Sequence, residues 1–259
     1  MSVQLLVVVA AVAGLLIGSF LTVVAERVPE GGSVAAPPSR CGSCGLRLGP
    51  RDLVPVFSWL VLRGKCRQCK ASIGIQPIVL ELSTAALFVL FAVEFQDDLV
   101  VVIAFCILAA TLVVQTWIDL QTQRLPREIT YTAMVLGGVA LIVAAIVLDE
   151  PERIWMAALG AAIALALMAA IYYGSKGGMG FGDVILAPLL GMYLGWLNPG
   201  IVAPGLFFGF IAGAVVGVAM MAGKRADRRT AVPFGPFLAL GTVAAVFIGQ
   251  PFVDAVLGR

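Results

Sequence analysis

Apolar segments long enough to cross a bilayer recur along most of this 259-residue chain. A membrane helix needs about 20 consecutive, mainly apolar residues. Hydrophobic residues make up 61% of the sequence and charged residues only 12%, which is too apolar for an ordinary soluble domain. The sequence therefore predicts an all-α fold, a polytopic bundle of membrane helices.

Eight transmembrane helices are expected. The N-terminal apolar run has no basic region before it and no small-residue cleavage site after it, so it is interpreted as the first membrane helix and not as a removed signal peptide. The sixth expected helix is short and rich in Gly and Pro. The expected bounds are 4–25, 77–95, 99–118, 129–148, 154–173, 184–197, 201–222 and 234–256.

The positions of the basic residues predict the orientation. If the N-terminus lies outside, all of the 17 Lys and Arg residues except Arg153 and Arg259 fall in loops on the cytoplasmic side. The positive-inside rule favours this arrangement. The basic segment 224–229 is expected to anchor the topology and to meet anionic lipid head groups.

Residues 26–76 form the longest polar segment and carry two C-x-x-C pairs, Cys41 with Cys44 and Cys66 with Cys69. Each pair lies in a Gly-rich, basic stretch, so the four thiolates could converge on one structural Zn²⁺. The alternatives are two disulfides or unligated thiols. The expected organisation is a first transmembrane helix at 1–25, a cytoplasmic zinc domain at 26–76 and a membrane domain at 77–259.

The sequence contains no histidine, which excludes Ser-His-Asp triads, Cys-His dyads and HExxH metalloproteases. Carboxylates are then the main candidates for proton transfer. Asp119 follows the third expected span and Asp183 begins the sixth, so both are expected at the same cytoplasmic level. Two carboxyl groups that share one proton could activate water and protonate a peptide carbonyl.

Structural roles are the alternative for these acidic residues. Asp183 could cap the sixth helix, and Asp119 could pair with Arg124. Glu81, near the start of the second span, could pair with a basic group or bind the amino end of a substrate. The glycines at 177, 178, 180 and 182 are expected to allow positive φ and to let an extended substrate approach Asp183.

The chain resembles the bacterial type IV prepilin peptidases, a family of GxGD membrane aspartic proteases. Five ordered blocks carry the resemblance, and together they extend over nearly the whole chain. They are GSFLTVVAERVP (18–29), the cysteine-containing region to the following helix (39–86), WIDLQTQRLP (117–126), GGMGFGDV (177–184) and VPFGPFLALG (232–241).

The resemblance implies that Asp119 and Asp183 are catalytic, and that type IV prepilins and pseudopilins are cut on the cytoplasmic side after a glycine. It also implies N-methylation of the new N-terminus from S-adenosylmethionine, for which the sequence shows no binding motif. It implies a location in the bacterial inner membrane and a role in type IV pili or type II secretion. No feature indicates a nucleic-acid partner.

Three positions depart from the family pattern. The family usually has Asn at the position of Thr22 and Asp at that of Arg127, and often has Lys at that of Ile185. These departures bear on substrate preference and methyl transfer. A proton-coupled transporter with relay aspartates and a zinc-bearing membrane scaffold are the competing functions, although a transporter is expected to carry its carboxylates near the bilayer midplane.

Overall fold

The computed structural model of the chain describes residues 2–175, 178–223 and 232–257, and helices are its regular structure there. The basic segment 224–229 and Gly177 lie outside these described residues. The helices are α1 (Val3–Arg27), α2 (Phe57–Val61), α3 (Gln76–Glu94), α4 (Leu99–Thr122), α5 (Arg127–Val147), α6 (Glu152–Gly174), α7 (Phe181–Leu197), α8 (Val202–Ala222) and α9 (Gly235–Leu257).

The expected fold class is confirmed, and each of the eight expected spans coincides with a helix. Seven of the described helices are long and apolar enough to cross a membrane. The eighth, α7, has 17 residues, a length of about 25 Å against a hydrocarbon thickness of about 30 Å. Helix α4 continues about one turn beyond its expected end, so Asp119 lies inside the helix and not after it.

The burial of α7 explains why this helix is apolar on every side. Eleven of its 17 residues are buried, among them Tyr193 and Trp196. It packs against α5, α6, α8 and α9. A helix that is hydrophobic all round is typical of a core position, where neighbouring helices and not solvent surround it. Helix α7 is thus the central element around which α5, α6, α8 and α9 pack.

Glycines allow three helix pairs to approach closely. In α1, a Cβ atom at Gly14 or Gly18 would lie 2.5 Å from a Cα atom of α3. Gly160 in α6 meets Gly195 in α7 in the same way, and Gly209 in α8 would meet the backbone of Phe237 in α9 at 2.8 Å. Small residues at helix contacts are typical of membrane bundles, because apolar lipid supplies no hydrophobic force between helices.

The chain divides into two compact units, residues 1–114 and 115–259. The first unit contains α1, α2, α3, most of α4 and the cysteine-bearing segment, and aromatic rings such as Phe91 and Phe105 pack in its interior at a centroid separation of 5.4 Å. The second unit contains the end of α4 and helices α5 to α9. The carboxyl group of Asp119 and that of Asp183 both belong to this second unit.

Replacement of Gly160 by alanine tests the contact between α6 and α7. The added methyl group would lie 2.5 Å from the Cα atom of Gly195, so the helices must separate. Overpacking of this kind typically costs about 1–3 kcal/mol. We expect Gly160→Ala to lower the midpoint of thermal unfolding in detergent, measured by circular dichroism. Gly138→Ala is the matched control, because its methyl group would meet only Met192 at 3.7 Å. Equal midpoints for the two variants would contradict this packing.

Candidate active site

Asp119 is buried near the end of α4, with 5% of its surface exposed. Its Oδ2 atom accepts a hydrogen bond of 2.8 Å from the backbone N–H of Gly235, the first residue of α9. The first amides of a helix have no partner inside the helix, and they favour negative charge. This bond therefore ties the end of α4 to the beginning of α9.

Asp183 is the third residue of α7 and is 6% exposed. Gly180 caps this helix, and its backbone N–H donates to the carboxyl group of Asp183. Gly182, the residue before Asp183, contacts Leu125, and so does Gly235, whose amide bonds to Asp119. The structure therefore brings the two aspartates together, although they are 64 positions apart in the sequence.

Leu125 lies between the beginning of α7, which carries Asp183, and the beginning of α9, whose first amide bonds to Asp119. A Cβ atom at Gly182 would stand 3.0 Å from the Cβ of Leu125, and one at Gly235 would stand 3.1 Å from its Cδ2. The two glycines thus make room for one leucine. The expectation of positive φ is wrong for Gly178, Gly180 and Gly182, since none of them has a left-handed backbone. Close packing is the observed role of Gly182.

Gln115 holds the turn that carries Leu125. It is buried one helical turn before Asp119, and its Nε2 donates to Thr130 Oγ1 at 2.8 Å and to the backbone oxygen of Pro126 at 3.1 Å. Gln115 and Gly235 are not among the site residues predicted from the sequence. A polar residue within an apolar run was an available signal for Gln115, whereas nothing in the sequence links Gly235 to Asp119.

Of the two alternative structural roles, the ion pair of Asp119 is not observed in the described part of the chain and the helix cap by Asp183 is. Among the ion pairs of the described residues, none contains Asp119, so the expected alternative partner Arg124 does not pair with it. Asp183 does contribute to the N-terminal cap of α7 through Gly180. A capping role alone does not account for a second buried carboxyl group beside it.

The four paired cysteines form a compact cluster. Their Sγ atoms all lie within 4.8 Å of one another, with 3.8 Å between Cys41 and Cys69 and 3.9 Å between Cys44 and Cys66. A zinc ion with Zn–S bonds of about 2.3 Å requires tetrahedral S–S separations of about 3.8 Å. The cysteines are free thiols, and these distances far exceed a disulfide bond of about 2.05 Å. The cluster could hold a metal ion.

The two cysteine pairs have the same local backbone, repeated after 25 residues. Arg40 bridges to Arg47 in the first, as Lys65 bridges to Ser72 in the second. The amides of Cys44 and Ser43 donate to the sulfur of Cys41 and lower its pKa to about 6. Such donation stabilises thiolates, the form that binds metal.

Each of these cysteine turns needs one left-handed residue, directly after its second cysteine. Gly45 fills this position in the first turn with φ of 72°, and Lys70 fills it in the second with φ of 59°. Residues with a Cβ atom adopt this conformation at a cost of about 1–2 kcal/mol. Gly45 is therefore the natural choice for the turn.

Glu81 is buried at 4% exposure near the start of α3. Its Oε2 accepts a hydrogen bond of 2.6 Å from the backbone N–H of Val56, and the Ser19 hydroxyl donates to the same carboxyl group. The described residues contain no ion pair between Glu81 and a basic side chain. The preferred expectation for Glu81, pairing with a basic group, is not met among the described residues.

Comparison with known proteins assigns the family. The model of the bacterial peptidase A24 N-terminal domain matches residues 12–95, and that of the type IV leader peptidase family matches residues 106–219. The prepilin leader peptidase/N-methyltransferase of Bacillus subtilis (strain 168) is 30% identical over 93% of this chain and 94% of its own length. The chain belongs to the type IV leader peptidase family.

Other relatives in this family are similar over most of their length. The type 4 prepilin-like proteins leader peptide-processing enzyme of Escherichia coli O78:H11 is 31% identical over 95% of each chain. The prepilin leader peptidase/N-methyltransferase of Burkholderia pseudomallei (strain 1026b) is 32% identical over 94% of this chain and 85% of its own. No solved structure matches the chain significantly. The helices and the relatives indicate a multi-pass protein of the bacterial inner membrane.

The three departures from the family pattern lie in different surroundings. Thr22 is in α1 and donates to the backbone oxygen of Gly18 at 3.4 Å. Arg127 begins α5 and pairs with exposed Glu128 at 3.4 Å. Ile185 is half-buried in α7, two residues after Asp183. None of these three residues is a hydrogen-bond partner observed for Asp119 or Asp183.

The left-handed conformation of Gly45 predicts that alanine is less well tolerated there than at nearby Gly42. Gly45→Ala introduces a side chain at φ of 72°, whereas Gly42→Ala adds one into open space without this strain. We expect Gly45→Ala to weaken the affinity of the cluster for added Zn²⁺ about 5- to 30-fold, because the strain of the turn opposes the arrangement in which the four thiols converge. Competition with a chromophoric chelator measures this affinity. Equal affinities of the Gly45→Ala and Gly42→Ala proteins would argue against the turn.

Proposed function

We propose that this protein is a membrane aspartic endopeptidase that removes the leader from type IV prepilins and pseudopilins. The interacting pair of buried carboxyl groups, Asp119 and Asp183, carries the proposal. The names of the relatives support the substrate class, and their second activity supports N-methylation of the new N-terminus. The absence of histidine in the sequence is compatible with this chemistry, because two carboxyl groups suffice for it.

The proposed reaction divides the proton transfers between the two aspartates. The ionised partner takes a proton from a water molecule, whose oxygen attacks the carbonyl carbon of the leader's last glycine. The protonated partner donates to the carbonyl oxygen. The tetrahedral intermediate then collapses and the C–N bond breaks. The leaving nitrogen takes the proton that the first aspartate removed from water, and the second aspartate regains its proton from a hydroxyl group of the intermediate. The amide of Gly235 occupies Oδ2 of Asp119, which leaves Oδ1 to hold the water.

The cysteine cluster is proposed to hold one structural Zn²⁺ through Cys41, Cys44, Cys66 and Cys69. Four protein ligands complete a tetrahedral site and leave no position for a reactive water. The segment exposes large side chains such as Phe57 and Leu60, so little apolar core stabilises it. Metal binding supplies the missing folding energy. We retain the three-part organisation, 1–25, 26–76 and 77–259, as a proposal.

The proposed orientation places the N-terminus outside and the cysteine-bearing segment in the cytoplasm. All of the 17 basic residues except Arg153 and Arg259 then lie in cytoplasmic loops or at their borders. Both aspartates lie within one turn of a helix end, Asp119 near the end of α4 and Asp183 at the start of α7. A transporter's relay carboxylates are expected at mid-membrane, so this placement favours the peptidase.

S-adenosylmethionine is the proposed methyl donor for the second activity, and it supplies an electrophilic methyl group when bound. The relatives' names, which include N-methyltransferase, are the support for this cofactor. The acceptor is the free amine at the new N-terminus of the cleaved pilin. Membrane lipid surrounds the helices in this proposal, and no nucleic acid takes part.

Substitution of the aspartates tests the peptidase proposal. Asp119→Asn and Asp183→Asn keep the side-chain shape but remove proton exchange, so each should slow cleavage of a detergent-solubilised prepilin at least about 100-fold. The double variant should be little slower than either single variant, because residues that act as a unit are non-additive. Asp254→Asn is the control, since Asp254 lies near the far end of α9 from Gly235 and its carboxylate accepts a bond from Gln250. Near-normal cleavage by Asp183→Asn would reduce Asp183 to a helix cap.

Gly235 offers a second test that leaves both carboxyl groups in place. A Cβ atom there would lie 2.9 Å from Oδ2 of Asp119, so Gly235→Ala must displace that carboxyl group. A misplacement of about 1 Å can cost about 100-fold in rate, and we expect a loss of this order in the same cleavage assay. Gly217→Ala in α8 adds its methyl group into open space and should retain normal cleavage. Equal rates for the two variants would contradict the observed contact.

A further inference from the structure

A cavity of about 530 Å³ lies within the first unit, apart from the residues assigned to cleavage. Helix α1 contributes one face of the wall, with residues spaced as on a single helical stripe: Ser19, Thr22, Val23 and Glu26. Pro77 and Glu81 of α3 line it as well, together with parts of the cysteine-bearing segment. Its volume is in the range of sites for small molecules.

Glu81 is the buried charged side chain on this wall. It receives hydrogen bonds from Val56 and Ser19, and the described residues supply no ion-pair partner for it. Three arginines also line the cavity, and none forms an ion pair with Glu81 among the described residues. Arg67 pairs with Asp52 at 2.8 Å, Arg27 donates to the backbone oxygen of Ser33, and Arg40 belongs to the first cysteine turn. Buried carboxylates are normally paired with a cation. The cavity is where such a cation can enter.

A strained turn fixes the position of this carboxyl group. Val56 has φ of 60° and ψ of −50°, and the amide of Phe57 bonds to the oxygen of Pro55, which makes a γ-turn of the rare, strained form. A β-branched residue at positive φ is a genuine outlier. The turn directs the Val56 amide at Glu81, and strain of this kind concentrates at functional sites.

The helix that follows this turn places an aromatic ring on the same cavity. Trp59 lines it, and its Nε1 donates to the backbone oxygen of Gly74 at 2.8 Å. A Cβ atom at Gly64 would lie 2.9 Å from the indole ring, so the ring is held on two sides. Aromatic faces attract ammonium and sulfonium cations, and Trp does so most strongly.

We propose that this cavity binds a small organic cation on an apolar stem, through the carboxylate of Glu81 and the ring of Trp59. Two groups in the proposed reactions have this chemistry: the free ammonium at the N-terminus of a cleaved pilin and the sulfonium of the methyl donor. The assignment of these two groups rests on the proposed function. The cavity itself depends only on the contacts of the first unit.

Calorimetric titration of the full-length protein in detergent tests the binding. The first probe pair is an amidated five-residue apolar peptide with a free or an acetylated N-terminus. The second pair is S-adenosylmethionine and S-adenosylhomocysteine, which lacks the sulfonium charge. We expect at least one charged probe to bind at least about tenfold more tightly than its uncharged partner. The pair that shows the preference identifies which cation the cavity takes.

Glu81→Gln should abolish this preference, because the amide oxygen still accepts the Val56 bond but the charge is gone. Glu94→Gln, on an exposed position of the same helix, should retain it. Val23→Phe fills the cavity from α1 and should weaken binding of the charged probe if Glu81→Gln does not fold. Zinc content and unfolding midpoint of each variant report folding separately.

The absence of any preference in the wild-type protein, or its persistence in Glu81→Gln, would overturn the proposal. The same titration on Asp119→Asn separates this result from the peptidase proposal, because that variant should bind the cation without cleaving a prepilin. Failure of cleavage in the wild-type protein would contradict the peptidase proposal and leave the cation site standing.

Discussion

The bilayer core offers no hydrogen-bond partner, so the buried polar side chains of this chain depend on the protein for the bonds that they form. Asp119 accepts from the amide of Gly235, Glu81 accepts from that of Val56, and Gln115 donates to Pro126 and Thr130. Each bond joins a side chain on one helix to a residue outside that helix. Most of these partners lie at a turn or helix end, which is where backbone groups remain unpaired.

Close helix contact makes these bonds geometrically possible. Glycines bring α1 to α3, α6 to α7 and α8 to α9, at distances that a Cβ atom would prevent. The same device operates around Leu125, where Gly182 and Gly235 leave room for its side chain. Packing at these contacts therefore depends on the small size of glycine more than on its freedom to adopt positive φ.

The two compact units carry different chemistry. The second unit holds the aspartate pair, whose buried carboxyl groups suit proton transfer to and from a peptide bond. The first unit holds the cysteine cluster, which suits a closed structural metal site, and a cavity with one buried carboxylate.

The sequence alone determined the membrane class, the eight apolar helices, the two C-x-x-C turns and the two aspartates in family-like motifs. These features are local, since the length of an apolar run, the spacing of cysteines and the order of motifs can be determined without knowing which residues are in contact in the folded chain. Asp119 and Asp183 are 64 positions apart, and only a count of membrane crossings related them from the sequence. That count predicted a common membrane level but no contact.

Only the tertiary structure revealed the partners. Gly235 lies 116 residues from Asp119, and Val56 lies 25 residues from Glu81, so no local pattern links either pair. The unfavourable backbone of Val56 and the packing role of Gly182 also contradict what residue type alone predicts. The physical reason is the same in each case. A buried polar group or a close packing contact is defined by atoms from distant segments, and only the folded chain brings these atoms together.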